Sequence, residues 1–424
     1  MTSSCPRCII NCSVCGTGIY PERRVSWNEN ELTRAVKTRE RYDMNLKITD
    51  VPCEMIEIGK QIAAEKRYLY TDEELERLRH EFNTFGGAYS DGDDFIYQYI
   101  YDHWMYGVDE NEEYTFRFRN RTHAEKAGYI TWDNRFQYYT VLNASRDLHI
   151  LDNKYEAYLR LKKHYKREAI LVSCREDLEL FRNFVKKHGR VIVKPVNLYL
   201  TIGLRWLNAD EITDYSAVLD ELIESAKEFA KIDSGSLPKP SVIVEELLDD
   251  GPAMPPFNPD MLSLIRCTTV LTQDGVKFFY PVFRTCSAVV KDEQGVDYEK
   301  TEVFICSVDA DTGEITSGGY DYFGNVIEKH PISGQRFEGT KLPEWDHLLK
   351  MLREAALELP SLRYIGWDAA YSAKGWCIIE GNTNGEFFAQ MAYGRGFKKE
   401  FEDLIGWKLS DELWKHPLLR KEHV

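Results

Sequence analysis

The chain has 424 residues, 43% hydrophobic and 29% charged, including 25 Tyr and 20 Phe. This is the composition of a soluble globular protein with enough residues for two or three cores. The formal net charge of −15 counts against a general nucleic-acid binder, which needs a basic face to neutralise phosphates, but leaves room for a local basic pocket that takes a phosphorylated small molecule.

The N-terminal stretch "CPRCIINCSVC" places Cys5, Cys8, Cys12 and Cys15 in one run. Four thiolates suit a tetrahedral zinc site or an iron–sulfur cluster. The three residues between the two Cys-x-x-Cys pairs make a cramped cage, so a tail without metal is the alternative to a zinc knuckle. Cys8, Cys12 and Cys15 also have the spacing of radical-SAM enzymes, but Val14 stands where an aromatic is usual, and too few residues precede Cys8 for the strand that loop needs. No apolar stretch approaches the roughly 20 residues of a membrane span, and the first residues lack a signal-peptide pattern. A cytoplasmic location is therefore expected, with the ten cysteines as thiols or metal ligands.

Residues 16–50 are polar and irregular; 54–110 read as helical. "TDEELERLRHEF" opens with Thr71 followed by Glu74, a capping-box start. "DDFIYQYIYDHWMYG" predicts a buried helix, and 110–150 is mixed and aromatic. A helix begins near Asp152, its expected N-cap, with Tyr155, Tyr158 and Leu159 on one side. Then come the strand "EAILVSC", the helix "REDLELFRNFVKKHG" stopped by Gly189, the strand "RVIVKP", the helix "YSAVLDELIESAKEFAKI" and the strand "SVIVEELL". Strands "IRCTTVLT", "KFFYPVFR" and "TEVFICSVD", a helix in "PEWDHLLKMLREAALEL" and a hairpin in "RYIGWDAAYSAKGWCIIEGN" follow. The irregular alternation gives an α+β or mixed α/β class.

The hairpin is the most informative stretch. A regular hairpin centred on Lys374 sets Asp368 opposite Glu380 and Gly366 opposite Asn382. Like charges directly opposed repel, and a hard divalent cation such as Mg²⁺ would offset this, with Asn382 on the same face as Glu380 as a neutral oxygen ligand and Gly366 leaving room for it. The other reading is two carboxylates on a solvated edge. Lys194, at the end of an apolar strand before Pro195, can meet phosphate in a cleft. Lys154 lies near a helix start, where a bound anion would suit both. Glu245 and Glu246 end a strand that can serve as an adenine hinge. Arg284 and Arg363 are candidates for holding a substrate carboxylate, and His330 for lining an acceptor site. Trp367 and Trp376 are expected on the opposite, core side of the hairpin.

In order, Lys154, Lys194-Pro195, Glu245-Glu246, then Asp368 and Glu380-x-Asn382 resemble the ATP-grasp superfamily. "NPDMLSLIRCTTV", "HPISGQRFEGTKLPEW" and "RYIGWDAAYSAKGWCIIEGN" resemble its sugar-transfer-associated family, over about residues 90–400. The resemblance implies two α+β subdomains clasping ATP, behind a mostly helical N-terminal region and the Cys-rich tail. It also implies phosphate and base contacts from Lys154 and Lys194, Glu245 and Glu246 at the adenine, Mg²⁺ on Asp368, Glu380 and Asn382, and Arg266 facing the reacting phosphate. The implied chemistry activates a carboxylate as an acyl phosphate and joins it to an amine or similar nucleophile. The co-substrates would be a small-molecule or sugar-linked carboxylate and an amine, in cell-surface polysaccharide synthesis and in association with its enzymes. A sugar or alcohol kinase and a non-catalytic nucleotide-binding partner are the alternatives. Two departures stand out: "VNLYLTIG" follows the Lys-Pro pair where the superfamily has small residues, and Leu264 stands where the family has a threonine. The expected division is 1–20 tail, 21–150 N-terminal region, 151–407 ATP-grasp region and 408–424 C-terminal tail. Removing residues 1–18 is expected to leave Mg-ATP binding intact, as checked by titrating nucleotide into full-length and truncated protein.

Overall fold

A computed structural model of the chain describes residues 46–85, 93–197, 203–232, 240–258, 261–287, 291–292, 295–296, 302–385 and 387–409. The cysteine run with Cys5, Cys8, Cys12 and Cys15, residues 198–202 after the Lys-Pro pair, and the tail beyond 409 lie outside the described residues. Among the described residues no helix is long and apolar enough to cross a membrane.

Two antiparallel sheets carry the site. The smaller holds β1 (Ala169–Val172), β2 (Arg190–Pro195), β3 (Arg205–Asn208) and β4 (Val242–Glu246) in the order β1-β4-β2-β3. Strand alternation divides its residues between two faces. Val191 and Val193 of β2, with Val242 and Val244 of β4, pack against Phe181 and Val185 of helix Leu178–His188 and Leu219 and Leu222 of helix Tyr215–Ile232. Lys194 and Glu245 are thereby turned to the other face, towards the larger sheet.

The larger sheet is built from β5 (Leu264–Thr272), β6 (Gly275–Cys286) and, beyond a separate two-stranded ladder of β7 (Lys291–Asp292) and β8 (Gly295–Val296), from β9 (Val303–Ser307), β10 (Gly319–Tyr320), β11 (Val326–Ile327), β12 (Tyr364–Ser372) and β13 (Gly375–Asn382). Its order is β11-β10-β9-β6-β5-β12-β13. Ile265, Cys267, Ile365, Trp367 and Ile378 bury one face against Leu348, Leu352 and Ala355 of helix Trp345–Leu357. Trp367 and Trp376 are both in this core, as expected, their indole N–H groups donating to Thr269 Oγ1 (2.8 Å) and the Pro343 carbonyl (2.7 Å). Arg266, Thr268, Gly366 and Asp368 alternate with these residues and so belong to the opposite face. The N-terminal region is helical, with helices Pro52–Glu65, Asp72–Phe85 and Asp93–Tyr106 sharing a core around Phe82, Phe95 and Trp104. Tyr101, Phe118 and Tyr129 join it to the larger sheet at Val282, Val303 and Ile305.

Some local expectations change. Thr71 Oγ1 accepts from the Glu74 amide (3.2 Å), but the Glu74 carboxylate goes to Arg77. Asp152 ends a short helix (His149–Asp152) and the cap of the next is Asn153, whose Oδ1 accepts from the Tyr155 and Glu156 amides at 3.0 and 3.1 Å. That helix stops at Arg160, which leaves Leu159 exposed and buries Leu161 in its place.

One buried cation ties the sheets together. Arg167, just before β1, donates from Nε (3.0 Å) and Nη2 (2.6 Å) to Glu245 Oε1 of β4. It reaches across to β13 through Nη1 to the Ile378 carbonyl (2.6 Å) and Nη2 to the Ile379 carbonyl (3.0 Å), with its guanidinium 4.6 Å from the Tyr165 ring centroid. Lys194 Nζ donates to the second oxygen of Glu245 at 2.7 Å. Burial alone would raise Glu245, but Arg167 and Lys194 outweigh it and hold the carboxyl at about 2, below its ordinary 4.5. A depressed carboxylate stabilises the fold above its ordinary pKa, and this contribution is lost as pH falls through the folded value. Glu245→Gln, which leaves Arg167 buried without its carboxylate, is expected to cost about 3 kcal/mol at neutral pH. In denaturant titrations the gap to the wild type should close as pH falls from 4.5 towards 2.

Candidate functional site

Between the sheets lies a small cavity lined by Lys154, Lys194, Glu245 and Glu380, with Leu151, Ala157, Tyr165 and Ile379 as its apolar wall. Lys194 is the penultimate residue of β2, and Lys154 opens helix Lys154–Arg160, its backbone amide donating to the Val196 carbonyl just past β2 (2.9 Å). The two lysines therefore enter from neighbouring backbone although forty residues separate them in sequence. Lys154 Nζ lies 3.3 Å from Glu380 Oε1.

Next to the cavity, β5, β12 and β13 bring three functional side chains into register: Arg266 pairs with Asp368, and Asp368 with Glu380. Arg266 grips Asp368 bidentately, Nε to Oδ1 at 2.6 Å and Nη2 to Oδ2 at 2.9 Å. Burial would raise Asp368, yet this guanidinium holds it below the usual carboxylate range. The expected pairings of Asp368 with Glu380 and Gly366 with Asn382 both occur, but by a different route from a regular hairpin. Near the turn the register is one residue shorter, with Ser372 opposite Gly375 and Ala369 opposite Ile378. A bulge at Ile379 restores it, and without that bulge Asp368 would face an isoleucine. The carbonyls of Ile378 and Ile379 at this bulge are the ones Arg167 holds. Gly366 is needed for a reason other than the expected one: a Cβ there would lie 3.2 Å from the Gly385 Cα, so it admits backbone.

The repulsion between Asp368 and Glu380 is offset by Arg266 and Lys154, so it does not by itself call for a metal. The donors nevertheless fit a hard divalent cation: two opposed carboxylates and the Asn382 amide, whose Nδ2 donates to the Gly366 carbonyl (3.4 Å) and leaves Oδ1 to coordinate. Five cations (Lys154, Arg167, Lys194, Arg266, Arg284) meet three carboxylates (Glu245, Asp368, Glu380) on these facing surfaces, a positive excess in an acidic chain.

Other candidates sit elsewhere. The Glu246 carboxylate turns away from the cavity to Lys374 Nζ (2.5 Å) and the Glu168 amide (3.2 Å). His330 is a core residue, its Nε2 2.8 Å from the Cys286 carbonyl and its ring among Phe257, Phe304 and Phe337; burial pushes its pKa down. Arg363 donates to the Leu271 carbonyl (2.9 Å). Arg284 lines a second cleft beside Arg266. Arg167 escapes sequence reading: an arginine ahead of an apolar strand is usually a surface residue, and nothing in "YKREAIL" distinguishes it.

Comparison with known proteins agrees with this architecture. The family described as sugar-transfer associated ATP-grasp matches residues 133–404. No curated protein matches the chain. Among solved structures, the chain is similar to the ATP-grasp ligase PsnB complexed with minimal precursor (17% identity, 67% of this chain and 63% of that chain, TM-score 0.32). It is also similar to PsnB with a phosphomimetic precursor variant, Mg and ADP (17%, 75% and 74%, TM-score 0.33), and to the D-alanine–D-alanine ligase from Bacillus anthracis (14%, 65% and 70%, TM-score 0.37). The chain thus spans under two thirds of the first of these. With the family match covering well over half of its residues, the chain belongs to the sugar-transfer associated ATP-grasp family and has the ATP-grasp fold.

Proposed function

We propose that this protein is an ATP- and Mg²⁺-dependent ligase that activates a carboxylate as an acyl phosphate and transfers the acyl group to an amine or similar nucleophile. The observation that carries the reading is the set of cation–carboxylate pairs around the inter-sheet cavity: Lys194 with Glu245, Lys154 with Glu380 and Arg266 with Asp368. A bound triphosphate with its metal would exchange partners within the Lys154–Glu380 and Arg266–Asp368 pairs. Asp368, Glu380 and Asn382 would hold the Mg²⁺, which supplies charge neutralisation at the phosphates. Lys154 and Arg266 would then turn to phosphate oxygens, while Lys194, held against Glu245, keeps a fixed cation at the cavity wall. Glu246 could serve the adenine only through its backbone, its carboxylate being engaged by Lys374.

In the first step a substrate carboxylate oxygen attacks the γ-phosphorus and the bond to the ADP oxygen breaks. In the second, an amine attacks the acyl carbon, loses a proton and expels phosphate. Phosphoryl transfer asks mainly for positioning and for compensation of charge on the transferring group, and fixed cations on rigid strands meet that demand. The family description suggests a sugar-linked pathway such as cell-surface polysaccharide synthesis.

Phosphate release from Mg-ATP should require a carboxylate and an amine together. A phosphorylated product formed without amine would favour a kinase, and tight nucleotide binding with no turnover across a broad substrate panel would favour a non-catalytic partner. Asp368→Asn and Glu380→Gln are each expected to lower turnover by at least about 100-fold and to weaken its dependence on Mg²⁺ concentration; a normal Mg²⁺ profile in either variant would sink the metal assignment.

A further inference from the structure

A second cleft, spanning about 430 Å³ with the open solvent at its mouth included, lies on the same sheet face beyond Arg266. Its cationic end holds Arg266 and Arg284, and its walls are Phe279, Tyr280, Phe387 and Phe397. Arg284 is 7% exposed, and its guanidinium makes no hydrogen bond or ion pair among the described residues. Asp368 lies close enough to feel its charge, but Arg266 takes both of the Asp368 oxygens. A buried cation without a hydrogen-bonded partner is costly, and this one lines a cleft beside the Arg266–Asp368 pair. Tyr280 is held in the left-handed region (φ 38) within β6, where the β5–β6 register shifts. Its ring stacks on Phe397 with centroids 3.7 Å apart, and its hydroxyl accepts from Arg395 at 2.7 Å. Such strain in a non-glycine residue is concentrated at functional sites, and here it sets an aromatic wall of the cleft.

We propose that this cleft is the subsite of the carboxylate substrate and takes an acid with an aryl or alkyl body, its carboxylate held by Arg284. This rests on the ligase reading above and narrows it. A sugar acid would bring several hydroxyls into a cleft whose uncharged polar lining side chains, Thr268 and Tyr280, already meet Tyr364 and Arg395, leaving those hydroxyls short of partners. An apolar body loses nothing there, and its carboxylate supplies the charge that Arg284 lacks.

The test titrates the full chain with hydrocinnamate, its neutral amide and glucuronate by calorimetry, with Mg-ADP titrated in parallel. Hydrocinnamate is expected to bind at least about 10-fold more tightly than either glucuronate or the amide. Arg284→Met should weaken hydrocinnamate by about 10- to 100-fold, the range for losing a charged hydrogen-bonded partner, and leave the amide unaffected. Replacing an unpaired buried cation with an apolar side chain should also raise the unfolding temperature of the ligand-free protein, so misfolding would not mimic the result. Glucuronate binding as tightly as hydrocinnamate, equal affinity of the wild type for acid and amide, or an Arg284→Met variant that binds the acid normally would each overturn the assignment. Loss of Mg-ADP binding by the wild type would instead overturn the nucleotide reading, whereas Mg-ADP binding without acid binding would overturn this one alone.

Discussion

The geometry of the site depends on one buried interaction, the Arg167–Glu245 pair and its reach to the Ile378 and Ile379 carbonyls. Each ion alone would be expensive to remove from water, and pairing repays that cost only when every donor is used. Here Glu245 takes both Arg167 and Lys194, and Arg167 spends two further donors on backbone of the other sheet. The result is directional in a way that packing is not. It sets the distance between the sheets, fixes Lys194 at the cavity wall and clamps the bulge that aligns Asp368 with Glu380.

That bulge illustrates how narrowly the site is determined. Side chains on a strand alternate with a period of two, so a one-residue slip would exchange the faces of everything beyond it. The inserted Ile379 lets the hairpin close tightly at Gly375 while keeping Asp368 and Glu380 on the same face. β6 uses the same device at Tyr280: Phe279 before the shift and Val282 and Arg284 after it all line the cleft, while Phe283 goes to the core. In both strands an irregularity re-aims side chains beside the candidate site.

Charge is organised locally against the overall balance. The chain carries a net −15, yet the facing surfaces of the two sheets gather an excess of cations. Most are already paired with carboxylates, which offsets the cost of holding them in a partly buried setting. Arg284 stands apart in having no such partner among the described residues, and it borders the aromatic cleft rather than the inter-sheet cavity.

Period-two and helical patterns marked most strands and helices, because burial of an apolar face is written directly into residue spacing. β3, β10 and β11 and helix Trp132–Leu142 were not legible, being short or aromatic on all sides. The pairings of Asp368 with Glu380 and of Gly366 with Asn382 were legible from hairpin geometry, and Lys154, Lys194 and Glu245 drew notice at or near the ends of apolar elements, where a charge has few structural reasons to be. What the sequence could not carry was anything decided between elements distant along the chain: the role of Arg167, the bulge that corrects the hairpin register, the turn of Glu246 away from the cavity, and the burial of His330 as a core residue. Local pattern records which face of an element is apolar. Which charges meet across two sheets depends on how those faces stack, and only the tertiary structure decides that.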